Sequence, residues 1–98
     1  MDNTVIELAR KFKNKIQHLL PFKMLILYGS YAKGTANENS DIDLAVIVDN
    51  IEENYIETSA KMYKYVWEID SRLEPVILSL ENDKSGFVES ILKYGIII

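Results

Sequence analysis

Three short runs of the chain are mostly apolar: residues 24–28, 44–48 and 73–78. Runs of this length, bounded by turn-forming or charged residues, are typical of buried strands. A helical pattern separates the second run from the third, and a strand–helix–strand crossover joins parallel strands. Because parallel neighbours begin at the same end of a sheet, we expect Glu74 to lie beside the start of the second strand.

Elsewhere the apolar residues recur at the 3.6-residue period of an amphipathic helix. One helix is predicted before Pro21, a second over residues 50–70 and a short third near residues 87–94. Residues 96–98 are a candidate for a short last strand. The order of elements predicts an α/β (α+β) fold with a small mixed β-sheet, a βαβ crossover and flanking helices. In the second helix, the residues that keep the period are Ile56, Ala60, Tyr63 and Trp67. The aromatic residues Tyr63, Tyr65 and Trp67 are expected in the core or at an interface.

The composition indicates one small domain over residues 1–98. A net charge of −4 argues against a protein that grips a nucleic-acid backbone, so we expect no direct nucleic-acid binding. The absence of cysteine excludes disulfides and thiolate metal sites. No apolar run approaches the ~20 residues of a membrane span, and the first residues do not resemble a signal peptide. A cytoplasmic location is therefore expected.

The polar segment between the first two strands carries the candidate chemistry. It begins with Gly29-Ser30 and ends with Asp41-Ile42-Asp43. Side chains alternate along a strand, so the two carboxylates point the same way, roughly 6.5–7 Å apart along the backbone. Such a pair is repulsive unless a cation or a proton lies between the groups. We therefore predict that Asp41 and Asp43 bind Mg²⁺, which prefers carboxylate and phosphate oxygens.

Gly29, Ser30 and Lys33 are predicted to contact phosphate groups. Glycine lets a phosphate approach the backbone, the serine hydroxyl adds a donor, and the lysine ammonium follows one short turn later. Glu74 is predicted as a third carboxylate, which completes a second metal position or acts as a base, with Asp70 as the alternative. Two metal ions suit nucleotidyl transfer, in which a hydroxyl attacks the α-phosphorus of a nucleoside triphosphate and pyrophosphate leaves.

These motifs carry a resemblance to a known family. Gly-Ser-Tyr-Ala-Lys-Gly-Thr at residues 29–35, with Ser-Asp-Ile-Asp-Leu at 40–44, resembles the signature of the nucleotidyltransferase superfamily that includes DNA polymerase beta and kanamycin nucleotidyltransferase. In so short a chain it is similar to the minimal nucleotidyltransferases (MNT proteins), antitoxins encoded beside HEPN-domain ribonuclease toxins. The resemblance implies the nucleotidyltransferase fold, phosphate contacts from Gly29 and Ser30, and metal ligation by Asp41 and Asp43. Glu74 falls where the family often has aspartate.

The resemblance also implies a reaction and a partner. The reaction is Mg²⁺-dependent transfer of AMP from ATP to a tyrosine of a HEPN toxin, which silences the toxin and involves a hetero-oligomer with it. Two other functions stay open. The protein could neutralise the toxin by binding alone, with a transferase site weakened by Glu74, or it could modify a small hydroxylated molecule such as an aminoglycoside. A chain of 98 residues leaves no room for a domain that holds a small acceptor, which favours an acceptor presented by a partner protein.

Overall fold

The computed structural model describes residues 3–81, 83 and 85–98, and these form four helices and four strands. In chain order the elements are α1 (Asn3–Ile16), β1 (Met24–Tyr28), α2 (Ser30–Lys33), β2 (Ile42–Val48), α3 (Tyr55–Ile69), β3 (Leu73–Ser79), α4 (Phe87–Tyr94) and β4 (Ile96–Ile97).

The strands form one mixed sheet in the order β3-β2-β1-β4. β1 is antiparallel to both β2 and β4, whereas β2 and β3 are parallel and are joined through α3. This arrangement confirms the predicted small mixed sheet with a βαβ crossover and flanking helices. It also brings the amino-terminal ends of β2 and β3 to the same end of the sheet, where the candidate carboxylates lie.

The sheet separates two hydrophobic cores of unequal size. On one side, α1 and α3 cover the sheet, and the helix residues buried there are Val5, Ala9, Phe12, Ile16, Met62 and Val66. On the other side, α4 packs Val88 and Ile91 against Ile26, Ala45 and Ile47. Because strand side chains alternate, Asp43 points to the same side as Ala45. The candidate site therefore lies on the side of the sheet with the smaller core.

Helix α1 ends earlier than predicted. The proline at position 21 was expected to end it, but the helix stops at Ile16 and a turn follows. The N–H groups of Leu19 and Leu20 both donate to the Ile16 carbonyl, at 2.9 and 3.3 Å. Proline disfavours the helical conformation in the residue before it. Leu20 is therefore not helical, and the turn before it also lies outside the helix. None of the helices in the described ranges is long and apolar enough to cross a membrane.

Helix α3 buries a different face from the one that its periodicity suggested. The buried residues are Thr58, Met62 and Val66, whereas Ile56 and Trp67 are 81% and 77% exposed. The core alternative is therefore wrong for Tyr63 and Trp67, and the interface alternative stays a prediction, whereas Tyr65 is partly buried and packs against the core. The helix carries apolar residues on two sides, and the side with Met62 and Val66 faces α1 and the sheet.

Candidate active site

Three side chains, one from each of three neighbouring strands, line up across the sheet. Asp43 on β2 is the register partner of Tyr28 on β1 and of Glu74 on β3. Directly paired residues point to the same face of a sheet, and neighbouring strands lie about 4.8 Å apart. The structure thus places Glu74 beside Asp43, where the crossover predicted it. Tyr28 joins the row through the antiparallel register alone, which no local sequence signal reveals.

Asp41 and Asp43 differ in their surroundings. Asp41 lies just before β2 and is exposed, whereas Asp43 is partly buried within the strand. Burial, and after it the negative charge of Asp41, raise the pKa of Asp43 above its ordinary value. The ionised form of Asp43 is therefore disfavoured in the folded protein, and a bound cation would stabilise it.

Gly29 brings the turn after β1 into contact with the Asp43 carboxylate. Its φ of +74° and ψ of −149° lie in a region of backbone conformation that is open to glycine and strained for other residues. A Cβ atom at this position would collide with Asp43 Oδ2 and would lie 3.2 Å from its Cγ. Glycine is thus needed here for two reasons, the backbone angle and the space that the carboxylate occupies.

Ser30 and Lys33 are the first and last residues of α2, which begins at this turn. In the part of the chain that the structure describes, neither the Ser30 hydroxyl nor the Lys33 ammonium has a side-chain hydrogen bond or ion pair. Lys33 is exposed and Ser30 is partly exposed. Both polar groups are accordingly available to a ligand that approaches the turn.

The carboxylates fit a metal ion that is shared with a substrate. Within residues 3–81, 83 and 85–98, no group of three carboxylate or imidazole side chains is placed to hold an ion by itself. Mg²⁺ is commonly bound by one or two carboxylates together with water and substrate phosphates. Asp41, just before β2, and Asp43, within it, match that kind of site, and Glu74 lies next to Asp43 in register.

Asp70, the alternative third carboxylate, is engaged elsewhere. Arg72 donates from Nη2 to Asp70 Oδ2 at 3.0 Å and from Nε to Oδ1 at 3.1 Å. These hydrogen bonds hold the pKa of Asp70 below its ordinary value despite its burial. Arg72 Nη1 also donates to the Glu38 carbonyl at 3.3 Å, and the Arg72 carbonyl accepts from the Ile42 N–H at 2.8 Å. The pair therefore ties the loop before Asp41 to the start of β3.

Two tyrosines lie within electrostatic reach of Glu74. Burial, then Asp43, then Glu74 raise the pKa of Tyr28. Burial and then Glu74 raise the pKa of Tyr63, whose hydroxyl donates to the Pro75 carbonyl at 3.4 Å. Helix α3 thus contacts β3 one residue from the third carboxylate. Neither tyrosine was predicted as a site residue, because their proximity depends on strand register and on which face α3 buries.

Comparison with known proteins gives a consistent set of relatives. The family described as "Polymerase beta, Nucleotidyltransferase" matches residues 10–98. A protein of Methanocaldococcus jannaschii named as a protein adenylyltransferase, MJ0141, is 31% identical over 98 residues, which cover 94% of this chain and 96% of that protein. The protein adenylyltransferase MntA of Aphanizomenon flos-aquae is 49% identical over 49 residues, 50% of this chain and 29% of MntA.

Solved structures share the architecture. A nucleotidyltransferase structure from Sulfolobus solfataricus superposes with a TM-score of 0.67 at 19% identity, over 96% of this chain and 78% of that one, which shows a common fold. A structure described as a toxin–antitoxin with AMP-PNP contains a chain that superposes with a TM-score of 0.63 at 25% identity. That match covers 97% of this chain and 69% of the other.

Proposed function

Because the chain belongs to the polymerase beta nucleotidyltransferase family, as its motifs suggested, we propose that it transfers AMP from ATP to a hydroxyl group of a partner protein. One observation carries this proposal: the glycine-serine turn touches a carboxylate of the aspartate pair. Nucleotidyl transfer requires the groups that donate hydrogen bonds to the phosphates to lie next to the groups that bind the metal. Gly29 lies against Asp43 with no room for a side chain between them.

In this proposal the turn and α2 hold the phosphates of ATP. The Ser30 hydroxyl and the backbone N–H groups after Gly29 donate to phosphate oxygens, and Lys33 supplies a positive charge. Asp41 and Asp43 hold Mg²⁺, with Glu74 as a ligand of a second ion. When bound, the metal neutralises charge on the phosphoryl oxygens during displacement.

A second role that we propose for Glu74 is to orient the acceptor. Glu74 is exposed on the edge strand β3, in register with Asp43 on β2. A hydroxyl group that approaches the sheet from the β3 edge therefore meets the Glu74 carboxylate. In this role the carboxylate accepts a hydrogen bond from the acceptor hydroxyl and orients it toward the α-phosphorus.

For the acceptor we propose a tyrosine of a HEPN-family toxin, with this chain as the antitoxin and the two proteins in one complex. The support is that a relative is named a protein adenylyltransferase and that a structural neighbour belongs to a toxin–antitoxin complex with AMP-PNP. The activity and the partners named for these relatives belong to those proteins. The following experiment tests whether this chain has the same activity and the same kind of partner.

The test is incubation of the protein with α-labelled ATP, Mg²⁺ and a HEPN-domain protein encoded beside it. Asp43→Asn removes a proposed metal ligand. Asp49→Asn is the matched control, because Asp49 follows the same strand at its far end and its side chain forms an ion pair with exposed Lys23, at 3.3 Å. We expect label on the partner with wild type and with Asp49→Asn, and at least about a 100-fold slower reaction with Asp43→Asn.

Three results would contradict the proposal. Label that persists in Asp43→Asn would remove the aspartate pair from the reaction. A tight complex that silences the partner without any label, equally in wild type and Asp43→Asn, would show neutralisation by binding alone. Label that appears on an aminoglycoside and not on the partner would identify a small-molecule acceptor.

A further inference from the structure

Four exposed residues form a second apolar stripe along α3. Ile56, Ala60, Tyr63 and Trp67 stand at intervals of three and four residues, which places them on one side of the helix. We call them the outer stripe, because they point away from the side that α3 packs on α1 and the sheet. Ile56 is 81% exposed and Trp67 is 77% exposed. Single apolar residues are ordinary at a surface, whereas several on one helix face indicate a binding surface.

Charged residues follow one flank of the outer stripe and change sign along it. Glu57 lies near the beginning of the stripe, and Lys61 and Lys64 follow one and two turns later. Lys61 forms an ion pair with Glu57, with Nζ and Oε1 3.5 Å apart. Within residues 3–81, 83 and 85–98, Lys64 has no ion pair. The first part of the stripe is therefore acidic, and its second part carries a positive charge that is available to a partner.

This order of charges is complementary to itself when two copies of α3 lie antiparallel. A two-fold axis at Ala60 places Glu57 of one copy opposite residue 63 of the second copy, one position from Lys64 of that copy. Symmetry repeats the pair on the other side of the axis. Glu68 then falls beyond the start of the other α3, which begins at Tyr55. Parallel helices would instead place each Glu57 opposite its own copy, a like-charge contact that is unfavourable.

The sizes of the side chains favour the same arrangement. Ala60 at the axis lets the two backbones approach closely, because a small residue leaves room at the point of contact. In this register Ile56 of one copy lies within one turn of Trp67 of the second copy. The most exposed aliphatic side chain of the outer stripe would thus cover the most exposed ring, twice in each dimer.

The outer stripe lies apart from the carboxylate site. Helix α3 covers the side of the sheet with the larger core, whereas Asp43 points to the side with the smaller core. Pairing through α3 therefore leaves the aspartate pair and the turn at Gly29 uncovered.

We propose that the outer stripe is a homodimer interface, in which α3 pairs antiparallel with α3 of a second copy of this chain. Two helices that meet over about three turns bury less surface than a standard interface, so we expect a dissociation constant of roughly 1–100 µM. The proposed dimer goes beyond the proposed function and does not depend on it, because no residue of the outer stripe was assigned to nucleotide, metal or acceptor.

The test is sedimentation equilibrium of the full chain over about 1–200 µM. Trp67→Ala removes the largest ring of the outer stripe. Ile97→Ala is the control, because Ile97 is an apolar residue of similar exposure, 67%, on β4 at the opposite edge of the sheet from β3. We expect wild type and Ile97→Ala to dimerise alike, and Trp67→Ala to raise the dissociation constant at least about 10-fold. Thermal unfolding of each variant verifies that it is folded.

A charge exchange tests the antiparallel register. Lys64→Glu and Glu57→Lys each convert both intermolecular pairs into like-charge contacts, so each variant alone should dimerise about 3- to 10-fold more weakly than wild type. A heterodimer of the two variants has two opposite-charge pairs. We therefore expect their equimolar mixture to dimerise more strongly than either variant alone. The double variant, which carries both substitutions in one chain, restores both pairs only if the helices are antiparallel, and it should dimerise as wild type does.

Four results would overturn the proposed dimer. Wild type could stay monomeric at the highest concentration, or Trp67→Ala could leave the dissociation constant within about twofold of wild type. The mixture of charge variants could stay as dissociated as its components, or the double variant could dimerise as weakly as the single variants. If wild type is monomeric and Trp67→Ala weakens its complex with the HEPN-domain protein, the outer stripe belongs to the interface with that partner and not to a homodimer.

Discussion

Replacement of Gly29 by alanine should disturb the carboxylate site as well as the backbone. Gly34, at the other end of α2, provides the comparison, because both glycines have positive φ, +74° and +78°. A Cβ atom at Gly34 would meet nothing within 4 Å, whereas one at Gly29 would collide with the Asp43 carboxylate. Both substitutions therefore strain the backbone, and the strain is larger at Gly29, whose ψ of −149° lies outside the left-handed helical region that Gly34 occupies at a ψ of 17°. Only Gly29→Ala adds the collision.

The expected magnitudes follow from these two contributions. Alanine in the left-handed conformation of Gly34 should cost about 1–2 kcal/mol of the free energy of unfolding. At Gly29 the backbone strain is about 1–3 kcal/mol, and the collision should add about 1 kcal/mol of coupling to Asp43. In an Asp43→Ala background this coupling disappears, so the cost of Gly29→Ala should fall by about 1 kcal/mol.

The assay is urea unfolding followed by circular dichroism, in EDTA so that metal binding does not contribute, with the slope of the transition checked for constancy. A parallel series in Mg²⁺ measures how much the ion stabilises each variant, and we expect Gly34→Ala to keep that stabilisation and Gly29→Ala to lose it. Equal destabilisation by the two substitutions, or a cost of Gly29→Ala that is the same with and without the Asp43 carboxylate, would refute the reasoning.

Three further predictions concern stability. The raised pKa of Asp43 means that the folded state binds its proton more tightly than the unfolded state, so the contribution of Asp43 to stability falls as pH rises above the ordinary pKa of 3.8. In EDTA, the free energy of unfolding of Asp43→Asn relative to wild type should therefore be higher at pH 7 than at pH 3, and a pH-independent difference would contradict this. Arg72→Ala breaks the partly buried ion pair with Asp70, at 3.0 Å, and should lower the free energy of unfolding in urea by about 1–3 kcal/mol. Lys61→Ala breaks an exposed ion pair and should lower it by under about 0.5 kcal/mol. Similar losses for the two variants would contradict a stabilising role of the Asp70–Arg72 pair. Met62→Ala should cost about 2–5 kcal/mol and Trp67→Ala under about 1 kcal/mol in thermal unfolding, and the reverse order would place the wrong face of α3 in the core.

The strands and the carboxylate row were within reach of the sequence because each depends on local pattern or on general topology. Continuous apolar runs identify β1 and β2 wherever they lie in the sheet. The placement of Glu74 near Asp43 follows from the parallel direction of two strands joined by a helix, because parallel neighbours begin at the same end of the sheet. Neither inference needs knowledge of how particular side chains pack.

The orientation of α3 and the surroundings of the site could not be predicted from the sequence, because both depend on how particular side chains pack. Periodicity identifies an apolar stripe, but a helix with two stripes is oriented by shape complementarity with its neighbours, and Met62 rather than Trp67 meets α1 and the sheet. The Asp70–Arg72 clamp and the edge-to-face contact of Tyr28 with Phe87 likewise arise from residues distant in the chain or from geometry that no periodic pattern records.

The unequal cores on the two sides of the sheet divide the consequences of mutation. The residues that give this domain most of its buried apolar contacts face α1 and α3, and the aspartate pair faces the other side. A lineage of such proteins can therefore lose its carboxylates one at a time without passing through an unfolded ancestor. Descendants without catalysis would keep the same shape, and selection for folding alone would not remove them.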